Sequence, residues 1–303
     1  MSLLPLYCRV PWTICVDAKG ADADDFLRRQ LTQNPPPRDG GRFTFAAWND
    51  ARGRVRALFR MLRRDDRLVL LAERDGVDAV LARLRMFVLR SKVELVPDES
   101  LAAAAVVGDA GERLEARGVR LGAEPGAAVT DAELTWLRIG PDLVYVVGPE
   151  DRLERAGEGF ARGSAEQAEL AEIRLGLPRV GAAVAERYVP QMLNLDRLDA
   201  VAFDKGCYPG QEVVARLHHL GNVKRRMRRF VGAAPAVAPA PGTPIVDAEG
   251  AEAGETIRAA AADGTLELLA VVRLDARGPL SAGSEHRVAL AAAPLPYERA
   301  SPV

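Results

Sequence analysis

Cysteine and histidine are scarce in this chain: three of each among 303 residues, namely Cys8, Cys15 and Cys207 with His218, His219 and His286. No cysteines form a CxxC pair, and no His/Cys spacing completes a metal-ligand set, so no metal site is expected. An odd, sparse thiol count suits a reducing compartment better than a disulfide framework. Long apolar runs are also missing, since none approaches the roughly 20 residues that a membrane-crossing helix needs. The amino terminus lacks the basic region and apolar core of a secretion signal. Together these absences predict a cytoplasmic protein with no membrane contact. A dominant charge is lacking too. With 41 Lys+Arg against 42 Asp+Glu there is no strong net field, so any nucleic-acid contact would need a local patch.

What the chain does contain is ordinary folded sequence, 48% hydrophobic and 27% charged, long enough for about two or three domains. Leu3–Val10 and Trp12–Val16 read as strands, and "GADADDFLRRQLTQN" reads as a helix with aspartates near its positive end. "RFTFAAW", "GRVRALFRML" and "RLVLLAE", separated by turn residues, predict a meander. In "GVDAVLARLRMFVLR", Val77, Val80, Leu81, Leu84, Phe87 and Val88 form one helical stripe. "SKVELVP" and "LAAAAVVGD" resume strand character, and a hairpin is expected around Gly140–Asp142. Helices follow over 150–161 and 164–175, the second opening on the capping-box pair Ser164 and Gln167. Beyond Phe230 come four prolines in fourteen residues and then short strands, which predict a small β-barrel on a stiff connector. The class is α+β with mainly antiparallel sheets.

The densest chemistry lies in "DKGCYPGQE", residues 204–212. Pro209 suits the first turn of a helix, Glu212 would lie in that turn, and Gly221 would close the helix as a left-handed cap. Cys207 would then face the positive helix end with Lys205 beside it, and both effects favour thiolate over thiol. The residues alone leave two readings open. One is a primed thiol at the edge of a ligand cavity, and the other is an inert sulfur in a glycine-supported turn.

"KGCYPGQE" resembles the signature of the YgfZ family, folate-binding relatives of the glycine-cleavage T-protein that assist iron–sulfur enzymes. "ADADDFLRRQLTQN", "AAWNDARGRVRALFRML", "MFVLRSKVELVPD" and the block from "LGLPRVG" to "NVKRRM" are similar to the same family, so the resemblance spans most of residues 9–230. It implies three modules in a ring around a cavity for tetrahydrofolate or a related reduced folate. Residues 1–48 and 165–228 would form a discontinuous first module, 49–164 an inserted one, and 229–303 the C-terminal β-barrel. Trp12 matches a tryptophan associated with folate and would form the wall for its ring. Gln191 and Asn194 would offer polar groups, although turn chemistry explains them equally well. Cys207 would be the reactive thiol and Lys205 its thiolate stabiliser, with Tyr208, Gln211 and Glu212 at the cofactor. Lys224 and Arg225 would meet the glutamate tail.

The resemblance also has gaps. A second family tryptophan falls near Ala168. The T-protein's catalytic carboxylates are replaced by Ala57-Leu58 and Arg174. Without those carboxylates nothing orients the folate amine, so an aminomethyltransferase is only the alternative reading. The leading reading is a monomeric accessory protein whose partners are iron–sulfur client enzymes, including tRNA-modifying ones. A second alternative, an RNA or protein interaction module, rests on "KRRMRR", residues 224–229, with five cations in six positions. As a strand it would put Lys224, Arg226 and Arg228 on one face and Arg225, Met227 and Arg229 on the other. It lacks the interleaved aromatics of base recognition, so direct nucleic-acid binding is not expected.

Overall fold

The computed structural model describes residues 4–64, 67–221, 223–283 and 287–298, which leaves His286 outside the described residues. In chain order the elements begin with β1 (Leu6–Arg9), β2 (Thr13–Lys19), α1 (Ala23–Gln30), β3 (Thr44–Asn49), β4 (Val55–Arg64), β5 (Arg67–Glu73), α2 (Val77–Arg85) and β6 (Glu94–Pro97). Next come β7 (Leu101–Val107), α3 (Gly111–Ala116), β8 (Ala128–Asp131), β9 (Leu134–Gly140), β10 (Leu143–Pro149), α4 (Glu150–Ala156), β11 (Ala161–Arg162) and α5 (Ala165–Arg174). A 3-10 turn at Pro190–Leu193 precedes α6 (Gln211–Leu220). The C-terminal strands are β12 (Arg225–Ala233), β13 (Pro244–Val246), β14 (Glu252–Ala262), β15 (Thr265–Arg273), β16 (Leu280–Ala282) and β17 (Val288–Ala293).

Three sheets result. One runs β3-β4-β5-β2-β6, the second β11-β1-β7-β10-β9-β8, and the third is a closed barrel, β12-β15-β14-β13-β16-β17. Neighbouring strands are antiparallel except β1 and the two-residue β11. The α+β class and the C-terminal barrel therefore stand as the sequence predicts. The module boundary expected between 48 and 49 falls inside β3, which pairs along its length with β4. Hydrogen bonding keeps residues 13–97 in one sheet and gives β1 to the other.

The apolar run of β5 has a simple origin. Leu68 and Leu70 face a core under α1 and α2 with Phe26, Leu27, Phe59 and Leu81. Val69 and Leu71 face the opposite core with Leu62, Leu137, Tyr145 and Val147, so both faces of the strand are buried. A third core joins α5, the 3-10 turn and the outside of the barrel through Leu170, Ile173, Leu193, Met227, Leu269 and Val271.

Two local expectations need correction. The stripe helix stops at Arg85, and the chain turns through Leu89 (φ 45) toward β6, leaving Met86 and Leu89 exposed. Phe87, expected in the buried stripe, is exposed as well and set edge-on to Trp48, with ring centroids 6.2 Å apart. Pro209 lies one residue outside the helix, not in its first turn. The N-cap of α6 is Gly210, held at φ 75. A side chain at 210 would collide with backbone, because its Cβ would stand 2.5 Å from the Gly53 nitrogen and 2.6 Å from the Asp50 carbonyl. Gly53 itself has φ 75 in the β3–β4 turn. Two motif segments, "NDARG" and "CYPGQE", thus meet glycine against glycine. The capping box of α5 forms as expected, with Ser164 and Gln167 bonded reciprocally, and Gly221 caps α6 at φ 63.

Candidate functional site

All three sheets send side chains to one buried cluster, two of them charged groups and the third a tyrosine hydroxyl. Helix α5 carries Glu169 and Glu172 at i,i+3 spacing, on a face turned inward. Arg258 of β14 donates to Glu169 Oε1 at 2.7 Å and to Glu172 Oε2 at 2.8 Å, and its third nitrogen reaches the Leu177 carbonyl at 3.0 Å. Arg60 of β4 donates to Glu172 Oε1 at 2.7 Å, and Tyr145 of β10 donates to the same oxygen at 2.9 Å. Arg179, just beyond α5, pairs with Glu169 and lies 3.5 Å from Glu172 Oε2.

Burial works against the charge on Glu172, but the guanidiniums of Arg258, Arg60 and Arg179 outweigh it and hold the carboxyl well below the usual range. Burial likewise opposes the charge of Arg258, yet Glu172 and Glu169 keep it firmly protonated. Glu73, at the end of β5, has less compensation. Burial pushes its carboxyl up to about 7 even though Arg179 and Arg258 pull it down.

This cluster separates two hollows. On one side a cavity of about 660 Å³ is lined by Trp12, Glu73, Asp75, Glu166, Glu169, Arg179 and Arg258, with apolar residues of the barrel opposite. On the other, a chamber of about 450 Å³ has Phe43, Phe45, Ile139, Leu175, Leu177 and Tyr297 as apolar walls and Arg42, Arg60 and Arg197 at its edges. A narrow space bounded by Trp12, Phe45, Arg60, Glu73, Glu172 and Arg179 lies between them. In the larger cavity Arg179 lies over Trp12, its guanidinium carbon 4.1 Å from the ring centroid. The Nε of Arg179 is 3.2 Å from Glu73 Oε2.

The structure divides the residues singled out in the sequence among separate places. Trp12 stands at the cavity wall. Cys207 precedes α6 as expected and is exposed, but it does not line either hollow, so thiol and tryptophan do not share a cavity. Lys205 turns its ammonium to the Leu31 and Gln33 carbonyls at 2.7 and 3.1 Å. Burial lowers Lys205 to about 8, with Arg28 adding repulsion. Tyr208 is buried, which pushes its hydroxyl up to about 12, and the Lys205 nitrogen lies 5.5 Å from its ring centre. Gln211 reaches the Lys205 carbonyl at 3.5 Å, and Glu212 is exposed in the first turn of α6.

Gln191 and Asn194 act as struts. Gln191 donates to the Val214 carbonyl at 2.7 Å. Asn194, left-handed at φ 57, donates to the Met227 carbonyl at 2.8 Å and to the Tyr297 hydroxyl at 3.2 Å. Neither lines either hollow, and neither do Lys224 and Arg225 at the start of β12. The basic stretch is not a bare cationic strip. Arg226 forks onto Asp196 at 3.0 and 2.8 Å, and Arg229 meets Glu267 at 3.0 and 2.6 Å. Glu267 also receives Arg174 at 2.8 and 2.7 Å. Ala168 is fully buried, on the core side of α5.

Sequence reasoning missed Glu73, Glu169, Glu172, Arg60, Arg179 and Arg258. A signal was present in α5, where two glutamates three apart interrupt an otherwise apolar face, and in β14, where one arginine stands in an alanine run. Among the described residues no group of His, Cys, Asp and Glu is arranged to hold a metal, and no helix is long and apolar enough to cross a membrane.

Comparison with known proteins places this architecture. No family model matches the chain. The tRNA-modifying protein YgfZ of Sodalis glossinidius is 31% identical over 233 residues, covering 74% of this chain and 70% of the relative. Its counterpart from Serratia proteamaculans is 30% identical over 311 residues, covering 95% and 91%. Among solved structures, the glycine cleavage system aminomethyltransferase T from Bartonella henselae superposes with a TM-score of 0.70 over 97% of this chain and 86% of that one, at 16% identity. That likeness establishes a shared fold. The relatives establish kinship, and the chain belongs to the YgfZ family.

Proposed function

We propose that this protein binds a reduced folate, tetrahydrofolate or a close relative, and serves as an accessory factor for iron–sulfur enzymes, including tRNA-modifying ones. One observation carries the folate reading: the 660 Å³ cavity with an indole wall, a flat cation already stacked on it and a carboxylate at its edge. Ligand cavities commonly measure about 300–1,000 Å³, with mostly apolar walls and a few convergent polar groups. Trp12 would stack against the bicyclic ring, and Glu73 and Arg179 are the polar groups beside it. The relatives' name, tRNA-modifying protein YgfZ, supports the link to tRNA modification.

Aminomethyl transfer is the weaker reading. At the positions where the resemblance puts the T-protein's carboxylates, Ala57 and Leu58 are buried apolar residues and Arg174 is tied to Glu267. An RNA module on β12 is weaker still, since Arg226 and Arg229 are already paired with carboxylates. Cys207, exposed on the turn before α6, would serve as the thiol that reacts with or touches a client. Thermal unfolding with and without tetrahydrofolate tests the folate reading. A ligand at a hundred times its Kd adds about 2.7 kcal/mol to the native state, and the midpoint should rise accordingly. An unchanged midpoint at saturation would count against it.

A further inference from the structure

The contacts of Arg179 bear on which part of a ligand the cavity reads. Its guanidinium is flat, lies 4.1 Å from the Trp12 ring centre and turns a nitrogen edge to Glu73 at 3.2 Å. A planar group with an N–H edge, stacked on an indole and facing a carboxylate, occupies the position that a flat heterocycle with the same edge would take. Arg179 has a second anchorage on Glu169 and lies near Glu172, so it can leave Trp12 without stranding its charge. Among the described residues Glu73 has no such alternative. Arg179 is its nearest cation, and once that cation moves the carboxylate needs new donors.

We infer that Glu73 recognises the donor edge of the ligand's 2-aminopyrimidinone ring, the N3–H and 2-amino group, and that Arg179 holds the ring's place on Trp12 until it binds. This rests on the folate reading above and deepens it. The charge on the cavity rim adds a second point. Asp75 and Glu166 stand there without a salt-bridge partner among the described residues, while Arg179 and Arg258 are engaged with Glu73, Glu169 and Glu172. A backbone amide and the Ser164 hydroxyl hold Glu166 below the usual carboxylate range. Such a rim does not favour an anionic glutamate tail. The cavity reads the ring and gains little from the tail.

Calorimetric titration at neutral pH separates these points. The probes are 6,7-dimethylpterin, its 2-oxo analogue 6,7-dimethyllumazine, 4-aminobenzoyl-glutamate as the tail alone, and tetrahydrofolate. Wild-type protein should bind the pterin at least about tenfold more tightly than the lumazine, a difference of about 1.4 kcal/mol, and the tail fragment should not bind. Glu73→Gln, which keeps the side chain's shape and removes a carboxyl that burial penalises, should melt no lower than wild type and lose that preference. Glu166→Lys, at an exposed position, should strengthen tetrahydrofolate binding and leave pterin binding unchanged. Equal affinity for pterin and lumazine, or a preference that survives Glu73→Gln, overturns the inference while tetrahydrofolate binding keeps the folate reading. Pterin binding without tetrahydrofolate binding sinks the folate reading and keeps this one. No binding of either removes both.

Discussion

Gly210 rests against Gly53: a Cβ built on the first would stand 2.5 Å from the nitrogen of the second. This contact locks the cysteine-bearing turn to the β3–β4 turn, and both glycines have positive φ. Gly210→Ala therefore brings left-handed strain and a backbone collision together, at a cost of about 2–4 kcal/mol. Urea unfolding should show that loss. Gly206→Ala, at a site with open space around it, should cost far less.

The three cysteines should differ sharply toward an alkylating reagent. Cys8 and Cys15 are buried, and desolvation pushes them up to about 11 and about 12, so both remain neutral, sheltered thiols. Cys207 is exposed. Mass spectrometry of native protein treated with iodoacetamide should find the label at Cys207 alone until the chain unfolds.

Glu73 and Glu172 give opposite contributions to the pH dependence of stability. The groups facing Glu73 are Arg179, Arg258, Glu172 and Glu169. Its folded-state value of about 7 lies above the ordinary 4.5, so its burial is cheapest when protonated, below pH 4.5, and grows costlier as pH rises through 7. Comparing wild type with Glu73→Gln, the wild type should lose roughly 1–3 kcal/mol relative to the variant between pH 4.5 and pH 7. Glu172 is held low in the fold, so its contribution is present above pH 4.5 and is lost as pH falls below it. Acid unfolding should therefore start at higher pH in Arg258→Met, which removes the first of the cations holding Glu172 ionised.

Arg258→Met should also destabilise the protein at neutral pH, by about 3–5 kcal/mol, because two glutamates lose their shared buried partner. Arg174→Met, removing a half-exposed partner of Glu267 that Arg229 still covers, should cost less than about 1 kcal/mol. Chemical denaturation of the two variants side by side checks the contrast.

Local pattern carried most of the fold into view. The meander, the β9–β10 hairpin, the capped α5 and the barrel were legible because alternation, turn residues and the Ser164–Gln167 pair are all short-range signals. The exits were harder to read. Arg85 ends α2 although the apolar stripe runs on, because the chain must turn back to pair β6 with β2. The division into sheets was hidden too, since no local feature of β1 says that it pairs with β7, about a hundred residues later. The resemblance pointed to Trp12, which lines the cavity, while the ionic cluster around Glu172 was not read from the sequence. Its members come from β4, β5, β10, α5 and β14 and become neighbours only when three sheets meet. Gln191 and Asn194 show the converse. They were chosen for polar chemistry, yet the fold uses that chemistry to tie Val214 and Met227 in place.

The most direct test is a titration of tetrahydrofolate into wild-type protein and into Trp12→Ala. Wild type should bind with a saturable heat and a raised unfolding midpoint, and loss of the indole should weaken binding by about tenfold or more, the scale of one aromatic stacking contact. Absence of binding to wild type, or binding of equal strength in Trp12→Ala, would contradict the placement of a reduced folate against this wall.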